Sequence, residues 1–185
     1  MIQHEFISDK KRYGYDINDL IYLKENVHYV EESRYKTPLG LIYVSHSPEC
    51  QFIKKLFTHT GVIDSFLKNP DKSFYTFPYS YKPETKAKTK TRQENFHPDF
   101  FLKKGDDIIV VEIKKDGDDS KKNAAKYRDG NKHFDELNKA LGANGMAQRY
   151  WFKFLTPVDY GDFFQAVKDD KCRGWRSSLM NQFSG

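Results

Sequence analysis

The stretch HPDFFLKKGDDIIVVEIKK, residues 97–115, is the most informative part of the sequence about the fold. It holds two short apolar runs, 97–102 and 107–114, on either side of a turn around Gly105, and this pattern predicts two antiparallel strands. Alternation along the second strand places Ile109, Val111 and Ile113 on one face and the other apolar residues on the opposite face. A strand that is apolar on both faces belongs in the middle of a sheet that is covered on both sides.

Charged residues stand at the end of this predicted strand pair, where burial makes them costly. A turn centred after Gly105 places Asp99 opposite Glu112, with their Cβ atoms roughly 5 Å apart. Two carboxylates this close repel each other unless a divalent cation lies between them. Together with a backbone carbonyl they form a set of hard oxygen ligands that suits Mg²⁺, or Mn²⁺ in its place. Lys114, on the same face as Glu112, would lie beside the metal, where it can orient an attacking water or neutralise charge that develops on the phosphate.

The same residues have a simpler interpretation, in which Glu112 and Lys114 form an ion pair at the end of the sheet and Asp99 caps a turn. However, a Pro-Asp pair, an aromatic strand, a turn and an apolar strand that ends in Glu-x-Lys occur here together. This combination favours the metal site over the isolated ion pair.

The flanking sequence predicts an α/β sandwich with a mixed central sheet flanked by helices. A first helix begins near Ser47 and continues past an interruption at Gly61 to Leu67, because apolar residues recur at helical spacing. Gly130 falls inside a second helix and indicates the close approach of another backbone. The remaining predicted elements are a strand at 73–79, the second helix from Ser120 to 142–145, a strand at 149–155 and a helix after Pro157.

The chain divides by composition into an N-terminal extension or small hairpin layer (1–46), a core (47–170) and a C-terminal tail (171–185). The formal net charge is +5, and residues 82–92 contain five basic residues and one acid. This segment is either a patch for a polyanion or a solvated loop.

Several classes of protein are disfavoured by what the sequence lacks. Its two cysteines indicate neither a disulfide framework nor a structural zinc site. The first residues lack an apolar core of signal-peptide length, and the sequence has no apolar run of membrane-spanning length and no phosphate-loop motif. We therefore expect a cytoplasmic protein that does not contact a membrane.

Pro98-Asp99 followed by Glu112-Ile113-Lys114 resembles the PD-(D/E)xK nuclease superfamily. The wider pattern, from about Ser47 to Phe164, is similar to the nuclease domain at the C-terminal end of type III restriction subunits and of related superfamily 2 helicases of bacterial defence. SPECQFIKKL, FHPDFFLKK, IIVVEIKKDGDDS and KNAAKYRDGNKHFDELN are among the segments that carry the likeness. The resemblance implies a restriction-endonuclease-like core and Mg²⁺-dependent hydrolysis of phosphodiester bonds in nucleic acid, with DNA as the expected substrate.

The resemblance also implies roles for particular residues. Asp99 and Glu112 would hold the metal with the carbonyl of Ile113, and Lys114 would be the catalytic lysine. Glu49 matches an acid that the first core helix contributes to the metal site, although a helix N-terminus favours an acid through its dipole alone. Lys126 matches a polar residue that the second helix presents to the site, where a solvated face is the alternative. The expected nucleic-acid contacts are Lys82, Lys86, Lys88, Lys90, Arg92 and Lys122.

The sequence thus predicts a metal-dependent deoxyribonuclease that acts with a helicase or translocase motor. The motor would lie in the same polypeptide, if these residues are a fragment, or in a separate protein. Two other hypotheses stay open. One is a catalytically silent module of the same fold that binds nucleic acid or docks a helicase. In the other, the basic segment and the Tyr-rich N-terminal extension serve protein contacts alone.

Overall fold

The computed structural model describes residues 27–29, 36–39, 41–44, 46–70, 74–83 and 90–184. Within these ranges the strands are β1 Val27–Tyr29, β2 Leu41–Tyr43, β3 Ser65–Lys68, β4 Phe77–Tyr81, β5 Arg92–Phe96, β6 Phe100–Lys104, β7 Asp107–Ile113 and β8 Arg149–Leu155. The helices are α1 Ser47–Thr58, α2 Lys121–Ala143, α3 Tyr160–Lys168 and α4 Ser178–Gln182. Short 3-10 turns occupy Thr60–Val62 and Pro157–Asp159.

The centre of the molecule is a mixed sheet of four strands in the order β3-β6-β7-β8. β7 runs parallel to β8 and antiparallel to β6, and β6 runs antiparallel to β3. The predicted hairpin register of β6 and β7 is confirmed, since Phe100 pairs with Val111 and Lys104 with Asp107. The chain is therefore a mixed α/β protein with helices against its central sheet.

Both faces of the sheet are covered, as the apolar character of β7 predicts. On one face, Ile109, Val111 and Ile113 pack with side chains of α1 and α3. On the other face, Val110 packs with side chains of α2 and α4. Because the sheet is buried on both sides, the charged residues at the end of β7 need an explanation. A charge in an apolar environment is unfavourable unless an opposite charge or hydrogen bonds compensate it.

Helix α2 begins and ends where the sequence predicts. The side chain of Ser120 caps it by accepting a hydrogen bond from the N–H of Asn123, at 3.3 Å. A Cβ placed on Gly130 would lie only 2.2 Å from Cε1 of Phe152. The prediction of a close backbone was wrong, because the group that needs the space is an aromatic ring of β8. No helix in the described ranges has the length and apolar character needed to cross a membrane.

The segment after Gly61 differs from the sequence prediction. Its last residues form the edge strand β3 instead of continuing the helix, and they pair with β6 from Ser65↔Lys103 to Lys68↔Phe100. Short apolar runs fit a strand and a helix equally well by periodicity, so tertiary pairing with β6 decides between them.

The predicted strand at 73–79 also differs in its bounds, since the strand found there is β4, Phe77–Tyr81. β4 and β5 form a separate antiparallel hairpin beside the sheet, and β5 was missed because its sequence, RQENF, is polar. Pro78 cannot donate a ladder hydrogen bond, which suits a two-stranded ribbon better than the sheet interior. The hairpin packs on α2, where the ring of Phe77 stacks on His133 at 4.5 Å and the N–H of Ser80 donates to Asp129.

Both ends of the described chain pack on the central core. β1 and β2 form an antiparallel pair, and Leu39, Ile42 and Val44 belong to the apolar cluster that α1 covers. Near the C-terminus, the buried ammonium of Lys153 donates to the carbonyls of Arg173 and Trp175. The predicted divisions at residues 46 and 170 stay predictions.

Candidate active site

The charged residues of the Glu-x-Lys motif lie at the end of β7. Glu112 is only 2 % exposed, although it is ionisable. The ammonium of Lys114 donates to Oε1 of Glu112, and Nζ of Lys126, from α2, lies 3.6 Å from the same oxygen. The ion pair that the simpler interpretation requires is therefore present, and Lys126 extends it.

The second carboxylate oxygen of Glu112 has no such partner. Its Oε2 is buried and accepts no hydrogen bond within the part of the chain that the structure describes. Burial, and after it the negative charge of Asp99, raise the pKa of Glu112 to about 7, while the two lysines oppose the shift. A buried carboxylate oxygen without a partner is unfavourable when ionised. This atom therefore favours a proton or a cation.

Asp99 reaches the same region in a way that differs from the prediction. The β6–β7 ladder ends at Phe100 and Val111, and the N–H of Asp99 donates to the carbonyl of Val111 at 2.9 Å. Asp99 and Glu112 are therefore not a direct cross-strand pair, because Pro98 has no N–H with which to continue the ladder. Instead, Oδ2 of Asp99 accepts a hydrogen bond of 2.7 Å from the N–H of Ile113, the residue after Glu112.

Asn69 fixes the backbone on which Asp99 stands. Its side-chain amide donates to the carbonyls of Pro98, at 2.8 Å, and Tyr75, at 3.0 Å. Its own N–H donates to the carbonyl of Asp99 at 2.8 Å. The buried side chain of Asn69, which directly follows β3, thus fixes the Pro98-Asp99 turn. This limits the directions in which the carboxylate of Asp99 can point.

A third acid, Glu49, faces Asp99 across a buried lysine. Nζ of Lys68 lies 3.4 Å from Oε2 of Glu49 and 3.9 Å from Oδ1 of Asp99. Burial and the charge of Asp99 raise the pKa of Glu49, and Lys68 opposes this shift. Glu49 thus lies beside the predicted site, as its position in α1 suggested, but its described contact is with an ammonium.

The two lysines on Glu112 are in different electrostatic situations. Burial opposes the charge on Lys114, but Glu112 and Asp99 outweigh burial and raise the pKa of Lys114. For Lys126 burial prevails over the attraction of Glu112, so its pKa is lowered. Nζ of Lys126 also lies 4.8 Å from the ring centroid of Phe96, a cation–π distance. Lys114 is therefore the more firmly charged of the two.

The predicted nucleic-acid contacts fall into two groups. Lys82, Lys90 and Arg92 are exposed at the end of the β4–β5 hairpin where the two strands are connected, whereas Lys86 and Lys88 lie outside the described residues. Lys122 is engaged within the protein, since its Nζ lies 2.7 Å from Oε2 of Glu94 and 5.2 Å from the ring centroid of Tyr81.

The β4–β5 hairpin connects the basic segment to the charged cluster. The hydroxyls of Tyr79 and Tyr81 each donate to Glu94 at 2.8 Å, and hydrogen bonds from Lys122 and these tyrosines lower the pKa of Glu94 to about 2. One helical turn after Lys122, Lys126 reaches Glu112. Nζ of Lys126 also lies 5.9 Å from the ring centroid of Tyr79, so Tyr79 links the Glu94 network to the lysine that reaches Glu112.

Sequence reasoning missed Lys68, Asn69 and Glu94. Lys68 was hidden because its strand was predicted as a helix, where a lysine has no reason to face inward. In β3, Phe66 lies opposite Leu102 and Lys68 lies opposite Phe100. Alternation along a strand would therefore have placed Lys68 on the same buried face as Phe66. No sequence signal marks Asn69 or Glu94.

The residues present have the chemistry of a divalent-cation site, although they are few. Among the described residues, no three His, Cys, Asp or Glu side chains are grouped closely enough to hold a metal. Asp99 and Glu112 nevertheless offer hard oxygen ligands, and the buried Oε2 of Glu112 lacks a partner. This orphaned oxygen is the feature that a cation would satisfy.

The chain matches no model of a known protein family, no curated protein and no solved structure. What the fold and the site define is therefore a mixed α/β protein with a buried cluster of acids and lysines at one end of its central sheet. The restriction-endonuclease-like fold and the nuclease resemblance stay predictions.

Proposed function

We propose that the chain is a metal-dependent nuclease with a restriction-endonuclease-like core that hydrolyses phosphodiester bonds of DNA. The observation that carries the proposal is the buried, unpartnered Oε2 of Glu112, whose other oxygen binds Lys114. An unsatisfied carboxylate beside a fixed ammonium is suited to a divalent cation and an anionic substrate together. Structural ion pairs normally satisfy both partners, so this arrangement supports a site that is prepared for a ligand.

Asp99 and Glu112 would hold Mg²⁺, or Mn²⁺ in its place, with the carbonyl of Ile113 as a further predicted ligand. Glu49, the fourth predicted ligand, is paired with Lys68. The bound cation would supply Lewis acidity at the phosphate and would acidify water. Lys114 contributes a permanent positive charge next to Glu112, which stabilises negative charge that develops on the phosphate oxygens. Asn69 and the N–H of Ile113 keep Asp99 in place while this happens.

Substrate would approach along the β4–β5 hairpin. Its exposed basic residues Lys82, Lys90 and Arg92 attract the phosphate backbone, and the Lys122–Glu94 network links the hairpin to α2. Under the same proposal, a helicase or translocase motor in the same or a separate polypeptide supplies movement along DNA, as in the bacterial defence systems that the sequence resembles.

The test uses supercoiled plasmid, linear duplex, single-stranded DNA and RNA, each with Mg²⁺ or Mn²⁺ and with chelator. The wild-type chain should cleave DNA only when the metal is present. Lys114→Ala, Glu112→Gln and Asp99→Asn should each lower the rate by at least about 100-fold, the range seen when one preorganised group is removed. Lys132→Ala and Glu136→Gln, which alter an exposed pair on α2, are the matched controls and should retain full activity.

Intact substrates under all conditions, with equal behaviour of wild type and Lys114→Ala, would remove the nuclease proposal. Binding of nucleic acid that survives Glu112→Ala, again without cleavage, would favour the second candidate: a catalytically silent binding or helicase-docking module. That candidate has its own supporting observation, because Lys68, Lys114 and Lys126 each lie within ion-pair distance of an acid of the site.

A further inference from the structure

Lys68 is a buried cation whose described acidic partners are two of the predicted metal ligands. It is 6 % exposed and stands on the inner face of β3, across from Phe100. Its Nζ lies 3.4 Å from Glu49 and 3.9 Å from Asp99, and it donates to the carbonyl of Asn69 at 3.2 Å. The backbone pairing of β3 with β6 therefore delivers a positive charge to the space between these two carboxylates.

Described charges of both signs already meet at this end of the sheet. Three acids, Glu49, Asp99 and Glu112, contact three lysines: Lys68, Lys114 and Lys126. A second divalent cation would add two further positive charges beside these three ammonium groups, a large electrostatic penalty in a largely buried site.

The acids also differ in which oxygens are available. Oε2 of Glu112 has no partner among the described residues, whereas Oε2 of Glu49 is already paired with Lys68. A cation that bound between Glu49 and Asp99 would have to displace the ammonium of Lys68 from both. Displacement is hindered because the side chain is enclosed, with its Nζ 5.2 Å from the ring centroid of Phe100.

We propose that Lys68 takes the place of a second metal ion, so that the site binds a single divalent cation, at Asp99 and Glu112. Lys68 is then a positioning residue: it holds Glu49 and Asp99 together and supplies fixed positive charge without contacting the substrate. This inference rests on the proposed function, because it requires that a divalent cation binds at all.

The number of bound ions is the readout. Titration of the full chain with Mn²⁺, followed by calorimetry and by the electron paramagnetic resonance signal of free Mn²⁺, should give one site per wild-type chain. Lys68→Met removes the charge and keeps much of the side chain's length, so it should gain a second Mn²⁺ site. Adding Glu49→Gln to Lys68→Met should abolish that second site. Lys68→Arg, which keeps the charge, and Lys132→Met, on the exposed face of α2, should each retain one.

Two bound ions in the wild type would overturn the inference, as would one ion in a folded Lys68→Met variant. If Lys68→Met does not fold, as judged by circular dichroism, the wild-type and Lys68→Arg counts decide: one ion in each upholds the inference, and two in either refutes it. The proposed function fails separately, when the wild type binds no Mn²⁺ and cleaves no nucleic acid, and the inference then falls with it.

Discussion

Lys114 pairs with only one of the two carboxylate oxygens of Glu112, and the other oxygen is buried without a partner in the described part of the chain. A structural ion pair at the end of a sheet would be expected to satisfy both partners, because an unsatisfied buried oxygen costs about 1–3 kcal/mol or more. The incomplete pair therefore separates this site from an ordinary surface salt bridge. It also sets the pH behaviour of the metal-free protein.

The stability of the metal-free protein should fall as the pH rises from about 4.5 to about 7. The pKa of Glu112 is raised from its ordinary 4.5 to about 7 by burial and by Asp99. Between these values the folded chain keeps a proton that the unfolded chain has lost, so deprotonation costs up to about 3 kcal/mol of the free energy of unfolding. Below pH 4.5 both states are protonated and the effect disappears.

Glu112→Gln isolates this contribution. Urea denaturation in chelator should show the variant gaining stability relative to wild type between pH 5 and 8. Ionisable groups away from Glu112 are the same in both proteins and largely cancel in the difference, whereas Lys114 and Lys126 lose their carboxylate partner and shift the whole curve. A difference between the two proteins that is independent of pH would contradict the raised pKa of Glu112.

Asn69→Ala should cost about 2–3 kcal/mol of the free energy of unfolding. The substitution leaves the carbonyls of Pro98 and Tyr75 without their described donor inside the protein. Asn144→Ala is the matched control, because its amide donates to Ala140 at an exposed helix end and should cost less than about 0.5 kcal/mol. Equal losses for the two variants in urea denaturation would show that Asn69 does not anchor the Pro-Asp turn.

Gly130→Ala should destabilise the protein although alanine is the better helix former. The added methyl group would overlap the ring of Phe152, at 2.2 Å from Cε1, so that overpacking of about 1–3 kcal/mol exceeds the helix-propensity gain of about 1 kcal/mol.

Gly161→Ala provides the comparison, because nothing lies within 4 Å of the added Cβ in α3. It should leave the midpoint of thermal unfolding unchanged or slightly higher. If Gly130→Ala were as stable as Gly161→Ala, the close packing of α2 on β8 would be incorrect.

The exposed basic residues should control the salt dependence of DNA binding. Replacing Lys82, Lys90 and Arg92 together by alanine should weaken binding to duplex DNA. It should also reduce the slope of log K against log salt by about 0.9 for each phosphate that the variant no longer neutralises. Fluorescence anisotropy at several salt concentrations measures this slope.

Lys122→Ala should reduce the slope by less than the value for one neutralised phosphate, because Lys122 is already paired with Glu94 at 2.7 Å. Lys132→Ala, far along α2, controls for the general decrease in positive charge. An unchanged slope in the triple variant would leave the hairpin without a role in binding.

Periodicity and local chemistry specify part of this structure directly. The β6–β7 hairpin with its register, both faces of β7, the helix α2 and the strand β8 were all predicted, because apolar alternation and turn residues act over short distances. For the same reason the sequence placed Glu112 and Lys114 on the same face at the end of β7, where the candidate site lies.

Tertiary structure alone decided the rest. Whether 65–68 is strand or helix depended on pairing with β6, and polar β5 became a strand only because β4 lies beside it. The Pro98 turn moved Asp99 out of direct pairing with Glu112, and Lys68 came between Glu49 and Asp99 from a strand predicted as a helix. These contacts join residues far apart in the chain, where local propensity carries no information and the burial of charge determines which partners must meet.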